Sequence, residues 1–84
     1  MEAKQEIERL QKKLADGSLP PDEPLFVLRS QDMFADKFVD LWANQAQCAG
    51  SPEGMVAEAR QLAAKMRGWS PRRIPGRPGS IADA

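Results

Sequence analysis

Three aspartates, Asp32, Asp36 and Asp40, recur at four-residue steps, which aligns them on one face if the segment is helical. Carboxylates so placed can do acid–base work or gather around a hard cation such as Mg²⁺ or Ca²⁺, which prefers oxygen ligands. Lys37 interrupts the series, and the same spacing is ordinary for a solvated helix face, so no metal and no cofactor is expected. Cys48 is the only cysteine, which rules out an intramolecular disulfide and a cysteine-held metal cluster. It lies near the C-terminal end of its expected helix, where the dipole disfavours a thiolate, and it reads as a buried small side chain. Histidine and tyrosine are absent, which removes His-based acid–base catalysis, His-ligated metals and catalytic triads. No P-loop, GxGxxG fingerprint or zinc-ligand spacing occurs. The chain is expected not to be an enzyme.

The remaining charged groups are unevenly placed. Residues 1–59 hold eleven acidic and six basic side chains, whereas residues 60–84 hold one acidic and six basic. The halves therefore attract each other or the basic end seeks an anion. In a nucleic-acid alternative, Arg72, Arg73 and Arg77 neutralise phosphates, and Arg60, Gln61 and Lys65 face a major groove from the second helix of a helix–turn–helix. Glu53 and Glu58 on that helix, with the three aspartates on the one before it, oppose this docking. Arg29, Gln31 and Asp32 form a further polar group. There Asp32 is expected to cap a helix, with Arg29 paired to it or to a neighbouring acid.

These side chains must be positioned by a small, all-α domain. With 84 residues, the chain makes one domain at most, and a domain of this size has marginal stability. Four regions are expected: an amphipathic N-terminal helix within 1–17, a Pro/Gly linker over 18–24, a helical core over 25–69 and a flexible Arg/Pro/Gly tail over 70–84. Ala3, Ile7, Leu10 and Leu14 form the seam of the first helix, over 3–16, either laid on the core or frayed in solution, or else serving dimerisation. Gly17 suits its left-handed cap. Leu25-Phe26-Val27-Leu28 is a short extended segment, expected to pack beneath the helices; a lone strand there would offer an edge for another chain.

The second helix is expected over about 33–47. Its stripe of Phe34, Phe38, Leu41, Trp42, Gln45 and Ala46 reads as core. Gly50 ends it, Ser51 caps the next helix and Pro52 takes the first helical position. That helix runs to about Arg67, buries Met55, Val56, Ala59, Leu62, Ala63 and Met66, and has Trp69 closing the core beyond it.

The segments PLFVLRSQD, LWA, AGSPEGMVAEARQLAAKM and GW followed by RRIP together resemble a group of small proteins encoded in bacteriophage and prophage genomes. The resemblance covers about residues 23–75. It implies a setting, the cytoplasm of a phage-infected or lysogenic bacterium, and no mechanism.

The function expected is that of a non-catalytic phage or prophage accessory protein acting by protein–protein interaction. If the folded monomer leaves them exposed, Phe26, Phe34, Phe38, Leu41 and Trp42 are the candidate contact surface. The partner is another protein of host or phage, and homo-oligomerisation is a further expectation. The alternatives are nucleic-acid binding by the tail and a virion or assembly component. The N-terminus lacks the continuous apolar run of a signal peptide and no segment is apolar enough for a membrane span, so the chain reads as soluble and cytoplasmic.

Overall fold

A computed structural model describes residues 1–76. It contains three helices: α1 at Ala3–Asp16, α2 at Ala35–Cys48 and α3 at Glu53–Arg67. Among the described residues there is no strand, only one isolated parallel bridge between Asp32 and Arg73. The domain is all-α, as the helical periodicities require.

Local chemistry sets the helix ends. α1 stops at Gly17, whose φ of 85° is a left-handed conformation that a side chain would strain. α2 closes in the same way: Gly50 has φ 85°, its N–H donates to Gln47 O (3.1 Å), and Ser51 N–H donates to Ala46 O (2.9 Å). These two bonds satisfy carbonyls that the end of a helix leaves open. Pro52 then precedes the first residue of α3, and its carbonyl accepts from Met55 and Val56. Ser51 was expected as the cap. Its backbone is used in closing α2, and the cap position falls to Pro52, with no side-chain cap bond.

α2 and α3 form an antiparallel hairpin, the one helix pair in contact among the described residues. Ala43, Val56 and Ala59 make the core, flanked by the partly buried Val39 and Ala46. Ala35, Ala63 and Met66 are also buried. Small side chains on both facing surfaces let the helices approach closely. The consequence is a thin core that contains no large, fully enclosed side chain. α1 has no buried residue and contacts neither α2 nor α3. Ile7 and Leu14 of its seam are exposed, and Leu10 is partly buried.

Several expectations are corrected here. α2 buries Ala35, Asp36 and Ala43, whereas Phe34, Phe38, Leu41 and Trp42 of the expected core stripe are exposed. Met55 and Trp69 are exposed as well, and Leu62 is only partly buried. Cys48 is exposed rather than buried. Residues 25–27 do not pack beneath the helices; Leu25, Phe26 and Val27 are exposed and only Leu28 is partly covered. α2 starts two residues later than its pattern suggests; ahead of it Met33 N–H, which a helix start would leave open, donates to Arg73 O (2.9 Å).

Candidate protein-binding surface

The outward side of α2 is built from the steps that its buried side leaves over. Ala35, Val39, Ala43 and Ala46 turn toward α3, so Leu41 falls on the far side of the helix, Phe34 and Phe38 on the flank beside the buried stripe, and Trp42 at its border. Phe38 is 54% exposed and Trp42 51%. Three aromatic rings and a leucine thus lie within two turns of one rigid helix, next to Lys37. Phe26, on the segment that leads into α2, is 84% exposed. All five side chains expected as a contact surface are therefore open to solvent, three of them on α2 and Phe34 at its N-cap.

An ionic lock holds α2 in this orientation. Asp36 is only 4% exposed and accepts from two arginines: Arg72 Nη2 to Oδ1 at 2.8 Å and Arg67 Nη1 to Oδ2 at 3.1 Å. Arg67 also donates to Asp40 Oδ2 at 2.7 Å. Arg72 completes its fork on backbone, with Nε donating to Ser30 O (3.1 Å) and Nη2 to Asp32 O (2.8 Å). The Arg72 hydrogen bond, the largest influence, holds the Asp36 carboxyl below the usual carboxylate range; burial opposes this and Arg67 adds to it. Asp40, and then Asp36, raise the Arg67 guanidinium above its ordinary value. The carboxylates at 36 and 40 are thus occupied by guanidinium groups, and the described residues contain no cluster of three metal-ligating side chains.

The expected tail begins inside this lock. Residues 72 and 73 run beside residues 31–33, with Arg73 N–H donating to Gln31 O and Met33 N–H to Arg73 O. In the nucleic-acid alternative Arg72 contacts phosphate, but its guanidinium points inward and its side chain is 19% exposed. Arg77 lies outside the described residues. Of the side chains assigned to a major groove, Arg60 instead bridges the helices, donating to Asn44 Oδ1 (3.0 Å) and Gln47 Oε1 (2.7 Å).

Comparison of the chain with protein-family models, with curated proteins and with solved structures finds no match.

Asp32 is not the expected cap of α2: the cap position falls to Phe34 with no side-chain cap bond, and Asp32 Oδ1 instead accepts from Phe34 N–H at 2.8 Å just ahead of the helix. Arg29 makes no ion pair among the described residues. A shallow groove of about 220 Å³ lies between the end of α2 and the start of α3, lined by Gln47, Ser51, Glu53, Val56, Ala57 and Arg60. Glu53 is its one carboxylate, and its cation is already bonded across the hairpin. The lock was missed from sequence; the opposite net charges of the two halves were the signal that pointed to it.

Proposed function

We propose that this chain is a small non-catalytic phage or prophage accessory protein that binds another protein in the bacterial host cytoplasm. The observation carrying this reading is the outward face of α2: Phe34, Phe38, Leu41 and Trp42 exposed side by side on a helix whose other face is fixed against α3. A contiguous aromatic surface on a rigid element is the composition of an interface centre, and large exposed apolar patches mark interaction sites. A core made mostly of alanine leaves a domain of this size short of buried apolar area, which a partner would supply. The phage resemblance supports the setting. No described helix is long and apolar enough to cross a membrane.

The nucleic-acid alternative draws less support, because Arg72 is engaged by Asp36 and by two backbone carbonyls. The test is affinity capture from a bacterial host lysate, split into nuclease-treated and untreated halves, with wild type and Phe38→Asp as baits. The reading expects one dominant protein retained by wild type after nuclease and lost by Phe38→Asp. Loss of every partner on nuclease treatment transfers the function to the basic end. Self-capture, seen as a concentration-dependent dimer in sedimentation, makes the partner a second copy and favours an assembly component.

A further inference from the structure

We propose that residues 25–28 form a docking strand that adds to the open edge of a β-sheet in the protein partner. The proposal rests on the protein-binding reading above and names the kind of surface that partner must offer. Leu25 and Val27 are 60% and 69% exposed, and Phe26 more so. Three consecutive large apolar side chains in solvent differ in kind from singly scattered ones, which need no explanation.

The backbone narrows the class of partner. Residues 24–29 belong to no helix, turn or bridge, and no N–H or C=O of residues 25–28 bonds to any described residue. The segment is held between two tied points: Glu23 N–H donates to Pro20 O on one side, and Asp32 N–H donates to Arg29 O on the other. Between them lie four consecutive apolar residues, Phe26 and Val27 of them β-favouring, whose main-chain donors and acceptors bond to no described residue. A segment of that kind, once extended, meets its complement in a sheet edge, where the ladder supplies affinity and alternate side chains enter pockets on either face. Leu25 and Val27 would take one face of the enlarged sheet, Phe26 and Leu28 the other.

The described residues hold no strand and so offer no such sheet. Two such segments from two copies would make an isolated two-stranded ribbon, which is marginal in water. A pre-formed sheet edge in a different protein is therefore the occupant.

Single-atom changes to the backbone test this. The full chain can be joined at Cys48 from two synthetic pieces, with an N-methyl group on Phe26 or on Val27. Neither N–H is bonded in the free protein, so circular dichroism and thermal unfolding are expected to match wild type. Each chain is used as bait in nuclease-treated host lysate, and retention of the protein captured by wild type is quantified. On a sheet edge successive N–H groups point alternately toward and away from the neighbouring strand. Methylation at one of the two positions is thus expected to lower retention about tenfold and at the other to leave it nearly unchanged. Proline at the sensitive position is expected to reproduce the loss. Equal retention at both positions, or equal loss at both, overturns the docking strand. If the captured protein is indifferent to both N-methyl groups yet lost with Phe38→Asp, the strand fails and the protein-binding reading stands. If wild type retains no protein, both fall.

Discussion

Arg72 Nη2 lies 2.8 Å from Asp36 Oδ1, a contact that spans 36 residues of sequence and ties the segment after α3 to the first turn of α2. The same guanidinium holds the carbonyls of Ser30 and Asp32, so one side chain fixes both the start of α2 and the approach to it. With Asp36 turned inward, the aromatic side chains of α2 are directed away from α3. The candidate surface is thus set by a charge contact as much as by hydrophobic packing.

Arg72→Met is expected to destabilise the fold by about 1–3 kcal/mol, the range for losing hydrogen bonds to a charged group and leaving that group less compensated. Denaturant unfolding checks this through the midpoint at constant slope. In a double-mutant cycle with Asp36→Asn, the two losses should not add, because both remove the same contact. Additive losses would show that Arg72 acts through its backbone bonds alone.

The acid limb of stability follows from the sign at Asp36. Its carboxyl is held below the ordinary range, so the folded state binds fewer protons than the unfolded chain as the pH falls. The stabilisation is fully present above the unfolded value of about 3.9 and is lost as pH falls through the lower, folded value. Wild type and Asp36→Asn should therefore differ most near neutrality and converge below about pH 4. A gap that stays constant to pH 2.5 or so contradicts the assignment.

Substitutions on the two sides of α2 should have opposite outcomes. Ala43 is fully enclosed between the helices, and Ala43→Leu is expected to cost about 1–3 kcal/mol through overpacking. Phe38→Ser, on the outward side, should change stability by no more than about 0.5 kcal/mol. A large loss with Phe38→Ser would mean that the aromatic side is buried in the folded monomer.

That contrast also marks where the sequence could be read and where it could not. The bounds of α1 and α3 were legible because Gly17, Gly50 and Pro52 punctuate them chemically. The buried side of α2 was not. Phe34, Phe38, Leu41 and Trp42 share the helix with the equally periodic Ala35, Val39, Ala43 and Ala46, and periodicity does not rank adjoining stripes. The alanines of α3 decide it, since small residues facing small residues permit the closest helix approach. The exposed aromatics were named as contact candidates only on the condition that the monomer left them open. Arg72 was hidden by its setting: a Pro- and Gly-rich stretch reads as tail, although the complementary charges of the two halves already allowed an internal pairing.

Gly54 offers a stabilising change. It is the second residue of α3, and a Cβ built on it meets nothing within 4 Å. Gly54→Ala should raise stability by about 0.5–1 kcal/mol by restricting the unfolded chain. Thermal unfolding reads this directly; an unchanged or lowered midpoint counts against a helical Gly54.

Removing residues 1–17 should leave the unfolding midpoint of the α2–α3 hairpin unchanged, because α1 contacts neither helix. The far-UV helical signal should fall by at most about a third, the share of the 14 residues of α1, because a helix of that length without tertiary packing frays. A lowered midpoint would place α1 on the core.

The most direct test of the central claim is a titration of the captured partner against wild type, Phe38→Asp and Lys65→Glu, with Lys65 on the exposed side of α3 as the control. If the outward face of α2 is the binding surface, Phe38→Asp should weaken Kd by at least about thirtyfold, the effect of losing an interface hot spot, and Lys65→Glu should change it by less than about threefold. Equal affinities for wild type and Phe38→Asp would contradict the claim.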